Sequence, residues 1–156
     1  MTTLDSRAPI LVLGIGNILL RDEGVGVRVI EAMQGMDLPP GVELVDGGTA
    51  GADLLDIIAD RCKVIVIDAM DADLEPGTIL RLGIDDLANP VDPGLSLHEI
   101  GLLETLAMTR HLGCAPGEVV VFGVKPAEVR PGDTLTPTMT AAVPRIVALV
   151  RRELDG

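Results

Sequence analysis

The sequence predicts a single α/β domain built on a mostly parallel sheet with helices on both faces. Short, almost wholly apolar runs alternate along the chain with longer segments whose apolar residues recur at helical spacing. No repeat, linker or low-complexity stretch interrupts that alternation. The length of 156 residues suits one domain, and a chain of this size buries roughly 70% of its unfolded surface without needing staples.

Residues 9–14 (PILVLG) carry no charge, as expected of a strand buried on both faces of a parallel sheet. Residues 22–36 then read as a helix, with Val25, Val29, Ala32, Met33 and Met36 on one face. Residues 42–45 form the second strand, and residues 52–59 a helix carrying Leu54, Leu55 and Ile58. The third strand, residues 64–67, is a run of four β-branched side chains. Residues 79–82 make a weaker strand, and Arg81 on one side of it suits a sheet edge. Residues 83–96 (GIDDLANPVDPGLS) are the one long irregular stretch, of a length that often carries function. Residues 97–112 read as a helix stopped by Gly113 and Pro116, and residues 119–124 as the last strand. The final helix spans residues 138–154, with Met139, Val143, Ile146, Val147, Val150 and Leu154 at helical spacing. Thr136-Pro137 makes its entry, and Pro144 is expected to kink it or split off its first turn.

Composition narrows the function. Asp and Glu number 24 against 12 Lys and Arg, a formal charge of −12, and Phe122 is the only aromatic residue. An acidic surface without stacking platforms is unsuited to nucleic acid and to anionic membranes. The longest apolar run, residues 10–20, is broken by glycines and Asn17 and falls short of the ~20 residues that span a bilayer. The leader before it has no net positive charge, and Asp22 and Glu23 stand where a cleavage site would follow, so a signal peptide is not expected. Cys62 and Cys114 lack metal spacing and are too few for a disulfide framework. They are expected to be reduced, mostly buried thiols of a cytoplasmic protein.

In parallel sheets, sites form where the carboxyl ends of the strands meet the following loops. Those positions hold Asp22 and Glu23 after the first strand, Asp46 after the second, and Asp68, Asp71 and Asp73 after the third. Ser96-Leu97-His98-Glu99 closes the long loop. Carboxylates and one imidazole thus converge on one edge. Gly14-Ile15-Gly16 resembles the opening of a dinucleotide fingerprint, with Asp46 as the ribose-binding acid. Leu19 occupies the third glycine position, however, and the acid arrives about 30 residues on instead of ~20. A tight turn beneath the sheet edge explains these glycines better. There is no phosphate-loop lysine, since Lys63 and Lys125 are the only lysines.

The form S-x-x-E at residues 96–99 reads as a capping box, placing His98 in a first helical turn. The helix dipole there disfavours imidazolium and leaves a ring nitrogen for metal, although a histidine can equally just decorate a helix start. His111 suits a partner of the helix carboxyl terminus. Glu23 has a plain alternative as a first-turn acid. Asp68 follows the β-branched run, where an unpaired buried carboxylate is costly, so it is expected at the strand end, facing solvent and a cation. Two carboxylates and a neutral imidazole suit a divalent metal of borderline hardness, without choosing among Zn, Ni, Mn and Fe. Asp71 and Asp73 can substitute but are expected to be solvated. There is no G-x-S-x-G elbow, and the nearness of Cys114 to His111 reads as accidental.

Taken together, GIGNILLRDEGVGVRVIE (Gly14 to Glu31), VELVDGGTAGADLL, VIVIDAMD, SLHEIGLLE and LTPTM resemble the [NiFe]-hydrogenase maturation endopeptidases, in order and spacing, over nearly the whole chain. The resemblance implies a single domain with a twisted, mostly parallel five-stranded sheet between helices. It further implies removal of a C-terminal extension from the precursor of a hydrogenase large subunit after nickel insertion, the nickel arriving with the substrate. By motif the family's metal-contacting residues fall on Glu23, Asp68 and His98, and Asp46 matches a position linked to substrate recognition or cleavage. Glu23 and Asp68 are also expected to serve the cleavage chemistry, and the protein to act as a monomer. The reading leaves two competitors: a nucleotide-binding module using Gly14, Gly16 and Asp46, and a non-catalytic chaperone that only recognises the metal centre.

Overall fold

A computed structural model describes residues 7–48, 53–88, 96–97 and 102–155. Five strands form one sheet in the order β2-β1-β3-β6-β4, from β1 (Ile10–Ile15), β2 (Val42–Gly48), β3 (Lys63–Asp71), β4 (Ile79–Gly83) and β6 (Glu118–Val124). The short β5 (Ser96–Leu97) pairs with the end of β3 off this path. β1 is parallel to both β2 and β3, and β3 to β6, while β4 closes one edge antiparallel to β6. The expected α/β sheet and its Arg81-bearing edge strand are therefore present.

The helices are α1 (Val25–Met33), α2 (Leu54–Ile58), α3 (Ile84–Ala88), α4 (Leu102–His111) and α5 (Pro137–Asp155). The central strands carry long apolar runs because both of their faces are covered. On one face Val12, Ile65, Ile67, Val120 and Phe122 pack against Val29, Ile30 and Met33 of α1 and Met139, Ile146 and Val150 of α5. On the other, Leu11, Leu13, Val64, Val66 and Val121 pack against Leu54 and Ile58 of α2 and Leu102 and Leu106 of α4. Each such side chain contributes ~1.5–3 kcal/mol by leaving water, so the two layers fix the sheet on which the site is built. Among the described residues, no helix is long and apolar enough to cross a membrane.

Several expectations are corrected. The helix expected from residue 22 begins at Val25, preceded by a 3-10 turn over Arg21–Gly24, because Arg21 adopts a left-handed φ of 49° and Asp22 points inward. Leu97, expected as the first helical residue after a Ser96 cap, is instead a strand residue paired with Met70, and Ser96 pairs with Asp71. His98 and Glu99 lie outside the described residues. Of the two outcomes expected at Pro144, the split does not occur, since α5 runs unbroken from Pro137 to Asp155. Pro144 and Thr140, whose carbonyl loses the amide partner, are both exposed, so water can satisfy that carbonyl. Cys62 is exposed and Cys114 half-buried, so neither thiol is the buried core residue expected.

Candidate functional site

The carboxyl edge is built by close backbone approach. A Cβ at Gly14 would overlap the Gly26 carbonyl, and one at Gly26 would overlap the carbonyls of Ile15 and Ile67. These two glycines let α1 lie directly on β1 and β3. Gly16, at a φ of +143°, leaves no room for a Cβ beside the Glu23 carbonyl. The glycines of the apparent dinucleotide fingerprint thus serve chain packing, and the Gly16 amide already donates to the Gly48 carbonyl at 2.8 Å. This fits the expected structural turn.

Glu23 lies half-buried on the 3-10 turn, which packs against β3. Its neighbour Asp22 is 0% exposed and accepts four hydrogen bonds. Oδ2 takes the Ala127 and Glu128 amides at 2.9 Å and the Thr136 hydroxyl at 2.8 Å, and Oδ1 takes the Thr136 amide at 2.8 Å. The adjoining backbone follows the same loop: the Leu19 carbonyl accepts from Gly132 at 2.9 Å, and the Arg21 amide donates to the Gly132 carbonyl at 3.0 Å. Arg21 also reaches Glu128 at 2.7 Å and the Thr134 carbonyl at 3.1 Å.

Asp68 is 0% exposed and lies within β3, opposite Gly123 of β6. The expectation of a solvent-facing carboxylate at the strand end is therefore wrong. The strand continues to Asp71 because β6 pairs with it as far as Ala69, and β5 takes over at Met70 and Asp71. By strand alternation Asp68 shares the face of Val64 and Val66. Asp46 is exposed near the end of β2, opposite Gly14, and its Oδ1 accepts the Gly48 amide at 2.9 Å. It borders an open cleft of about 260 Å³, lined also by Gly16, Asn17, Ile18, Leu19, Val27 and Gly48. Ile18 and Leu19, 36% and 64% exposed, give that cleft an apolar rim.

The profile of the HycI hydrogenase maturation protease family matches residues 27–153. The Escherichia coli hydrogenase 2 maturation protease is 41% identical over 136 residues, spanning 86% of this chain and 83% of that protein. This chain belongs to the hydrogenase maturation protease family. The hydrogenase expression/formation protein HupD of Rhodobacter capsulatus is 37% identical, over 93% of this chain and 70% of its own. The structure of the E. coli hydrogenase maturating endopeptidase HybD superposes with a TM-score of 0.83 at 38% identity, covering 94% of this chain and 91% of that one. Maturation proteases are peptidases, so the chain is a hydrolase acting on peptide bonds.

In this family member the structure brings Glu23 and Asp68 onto adjoining elements and sets Asp46 on the same edge, on β2, with β1 between it and β3. Asp71 is the exposed last residue of β3, 3.8 Å from Lys125, and Asp73 is exposed, as expected of solvated acids. His111, the exposed last residue of α4, suits its expected role at the helix carboxyl terminus. Among the described residues no three His, Cys, Asp or Glu side chains form a metal-holding group. His98, the third member of the expected set, lies outside them. Its chain neighbour Leu97 faces Met70, two positions beyond Asp68. Sequence reasoning passed over the second role of this edge: Asp22 and Thr136 are joined across 114 positions, a contact with no local signal.

Proposed function

We propose that this chain removes the C-terminal extension from a nickel-loaded [NiFe]-hydrogenase large-subunit precursor, engaging the inserted nickel through Glu23, Asp68 and His98. The observation that carries the reading is the packing of the Glu23 turn against β3, the strand that holds Asp68, at the edge where Asp46 lines an open cleft. Two carboxylates and an imidazole are a donor set of the hardness that a borderline divalent ion accepts. The nickel is cargo of the substrate, so its capture would hold only a metallated precursor in register, with the peptide to be cut lying toward the Asp46 cleft.

Hydrolysis then needs a water to attack the scissile carbonyl carbon, a base for its proton, and a proton for the departing amine. Asp46 and Glu23 are the carboxylates available for that transfer, and the apolar rim of Ile18 and Leu19 would flank the substrate backbone. On this reading the chain works in the cytoplasm as a monomer. The test presents nickel-loaded and nickel-free precursor and reads loss of the C-terminal peptide by intact mass. Processing of the loaded form alone is expected. Glu23→Gln, Asp68→Asn and His98→Ala should each leave the precursor uncut while circular dichroism stays native. Wild-type cleavage by a folded triple variant would sink the assignment, and a stable complex with no shortening would favour a chaperone instead.

A further inference from the structure

The structure assigns Asp22 as a positioning residue for Glu23: its buried carboxylate clamps the 3-10 turn Arg21–Gly24 to residues 127–136. The inference rests on the proposed role of Glu23. Asp22 is adjacent in sequence to Glu23 but has the opposite environment, 0% exposed and turned into the protein. Its four bonds of 2.8–2.9 Å all come from a segment 105 to 114 positions away. A 3-10 turn of four residues has little stability of its own, so its position is set by what grips it.

The grip comes from two sides. The Gly16 backbone abuts the Glu23 carbonyl from the β1 side, closely enough that no Cβ fits. Asp22 draws the turn toward the segment that enters α5. Thr136 couples the two, because its hydroxyl donates to Asp22 at 2.8 Å and accepts the Met139 amide of α5 at 3.4 Å. The clamp therefore references Glu23 to the first turn of a 19-residue helix packed on the core. Without it Glu23 would keep its chemistry and lose its registration with Asp68.

Asparagine discriminates this role from general stability. Asp22→Asn keeps the shape, but with its oxygen at the Oδ2 site its amide nitrogen would meet the donating Thr136 N–H. One of the four bonds becomes a clash of donors. With nickel-loaded precursor, kcat for release of the C-terminal peptide should fall roughly tenfold or more, as expected when a reacting group is displaced by a fraction of an ångström. KM for nickel-loaded precursor should rise with it, because the displaced Glu23 is also a ligand of the inserted nickel. Binding of nickel-free precursor should not change, since Asp22 itself is buried away from substrate. Glu153→Gln, at the far end of the sheet, serves as a control that lowers thermal stability and should keep full kcat below its melting point. Thr136→Val, which removes the hydroxyl's bond to Asp22 and its long bond from the Met139 amide, should lower kcat less than Asp22→Asn, and Thr136→Ser should restore it. These two variants also read the clamp if Asp22→Asn does not fold.

An unchanged kcat in folded Asp22→Asn, or in folded Thr136→Val where Asp22→Asn cannot be made, would overturn the positioning role. So would a matching kcat loss in Glu153→Gln below its melting point. The failure of the underlying reading looks different: Glu23→Gln would then cleave at the wild-type rate, whatever Asp22→Asn does.

Discussion

The two ends of the sheet hold their carboxylates in different ways. At the amino end of β3, Glu153 accepts bonds of 2.8 and 2.9 Å from the Arg81 guanidinium and one of 3.1 Å from Lys63. Buried Arg61 likewise donates to Glu43 at 2.7 Å. At the carboxyl end, Asp22 is more deeply buried, yet its donors are three backbone amides and a hydroxyl. A cation cancels the charge of its partner, whereas neutral donors satisfy the lone pairs and leave the charge in place. The amino end is thus largely neutralised. At the carboxyl edge the cations Arg21 and Lys125 pair with Glu128 and Asp71, while Asp22, beside Glu23, is held by neutral donors alone.

The largest expected effect that tests this contrast is Asp22→Ala. It strands three amides and a hydroxyl around a buried position and should cost about 3–5 kcal/mol in urea unfolding. Because those donors are neutral and enclosed, that cost should persist in about 1 M salt. A cost that vanishes in salt would mean Asp22 acts as an ordinary surface charge, and the contrast would break.

Glu153→Gln should cost less, about 1–2 kcal/mol once the solvent around exposed Arg81 is allowed for, and the cost should shrink in salt. Its pH dependence is specific. The hydrogen bond from Arg81, helped by Lys63 and opposed by burial, lowers the Glu153 carboxyl from its ordinary 4.5 to about 2. A depressed folded-state pKa means that the stabilisation is fully present above the ordinary value and drains away as pH falls toward the folded one. The stability advantage of wild type over Glu153→Gln should therefore be level near neutrality, narrow from about pH 4.5 downward, and be gone near pH 2. A constant difference over that range, measured by denaturant unfolding, would show that the variant acts through packing. Smallest of all is Glu118→Gln. Its partner Lys63 lies 3.6 Å away and the carboxylate is 55% exposed, so its loss should cost under about 0.5 kcal/mol.

Much of the scaffold was legible because burial on both faces leaves a strong mark. The runs 9–14, 64–67 and 119–124 were apolar without interruption, and each lies in a central strand. Arg81 marked an edge because an exposed strand tolerates a charge. The errors share a cause in tertiary pairing. An aspartate after four β-branched residues looks like a strand end, but β5 and β6 extend β3 through Asp68 to Asp71. Ser96 carries a cap signature, but pairing with Asp71 draws it into the sheet. At the site, motif resemblance pointed to Glu23, Asp46 and Asp68. The glycine contacts beneath them depended on backbone approach between β1, α1 and β3, and the grip on Asp22 on segments more than 100 positions apart, neither of which a linear pattern encodes.

The reach of the Asp22 clamp has a consequence for the birth of the molecule. Residue 22 leaves the ribosome early, together with the strand and turn that shape the Glu23 region, but its four donors lie between Ala127 and Thr136. Closing so long a loop is entropically slow, and until it closes the turn is held only through its contacts with β1, α1 and β3. A growing chain can therefore pair β1 with β3 well before it can fix the position of Glu23. Competence for cleavage should arrive as one of the last events of folding, and a ribosome stalled before Thr136 would display an ordered sheet with an idle edge.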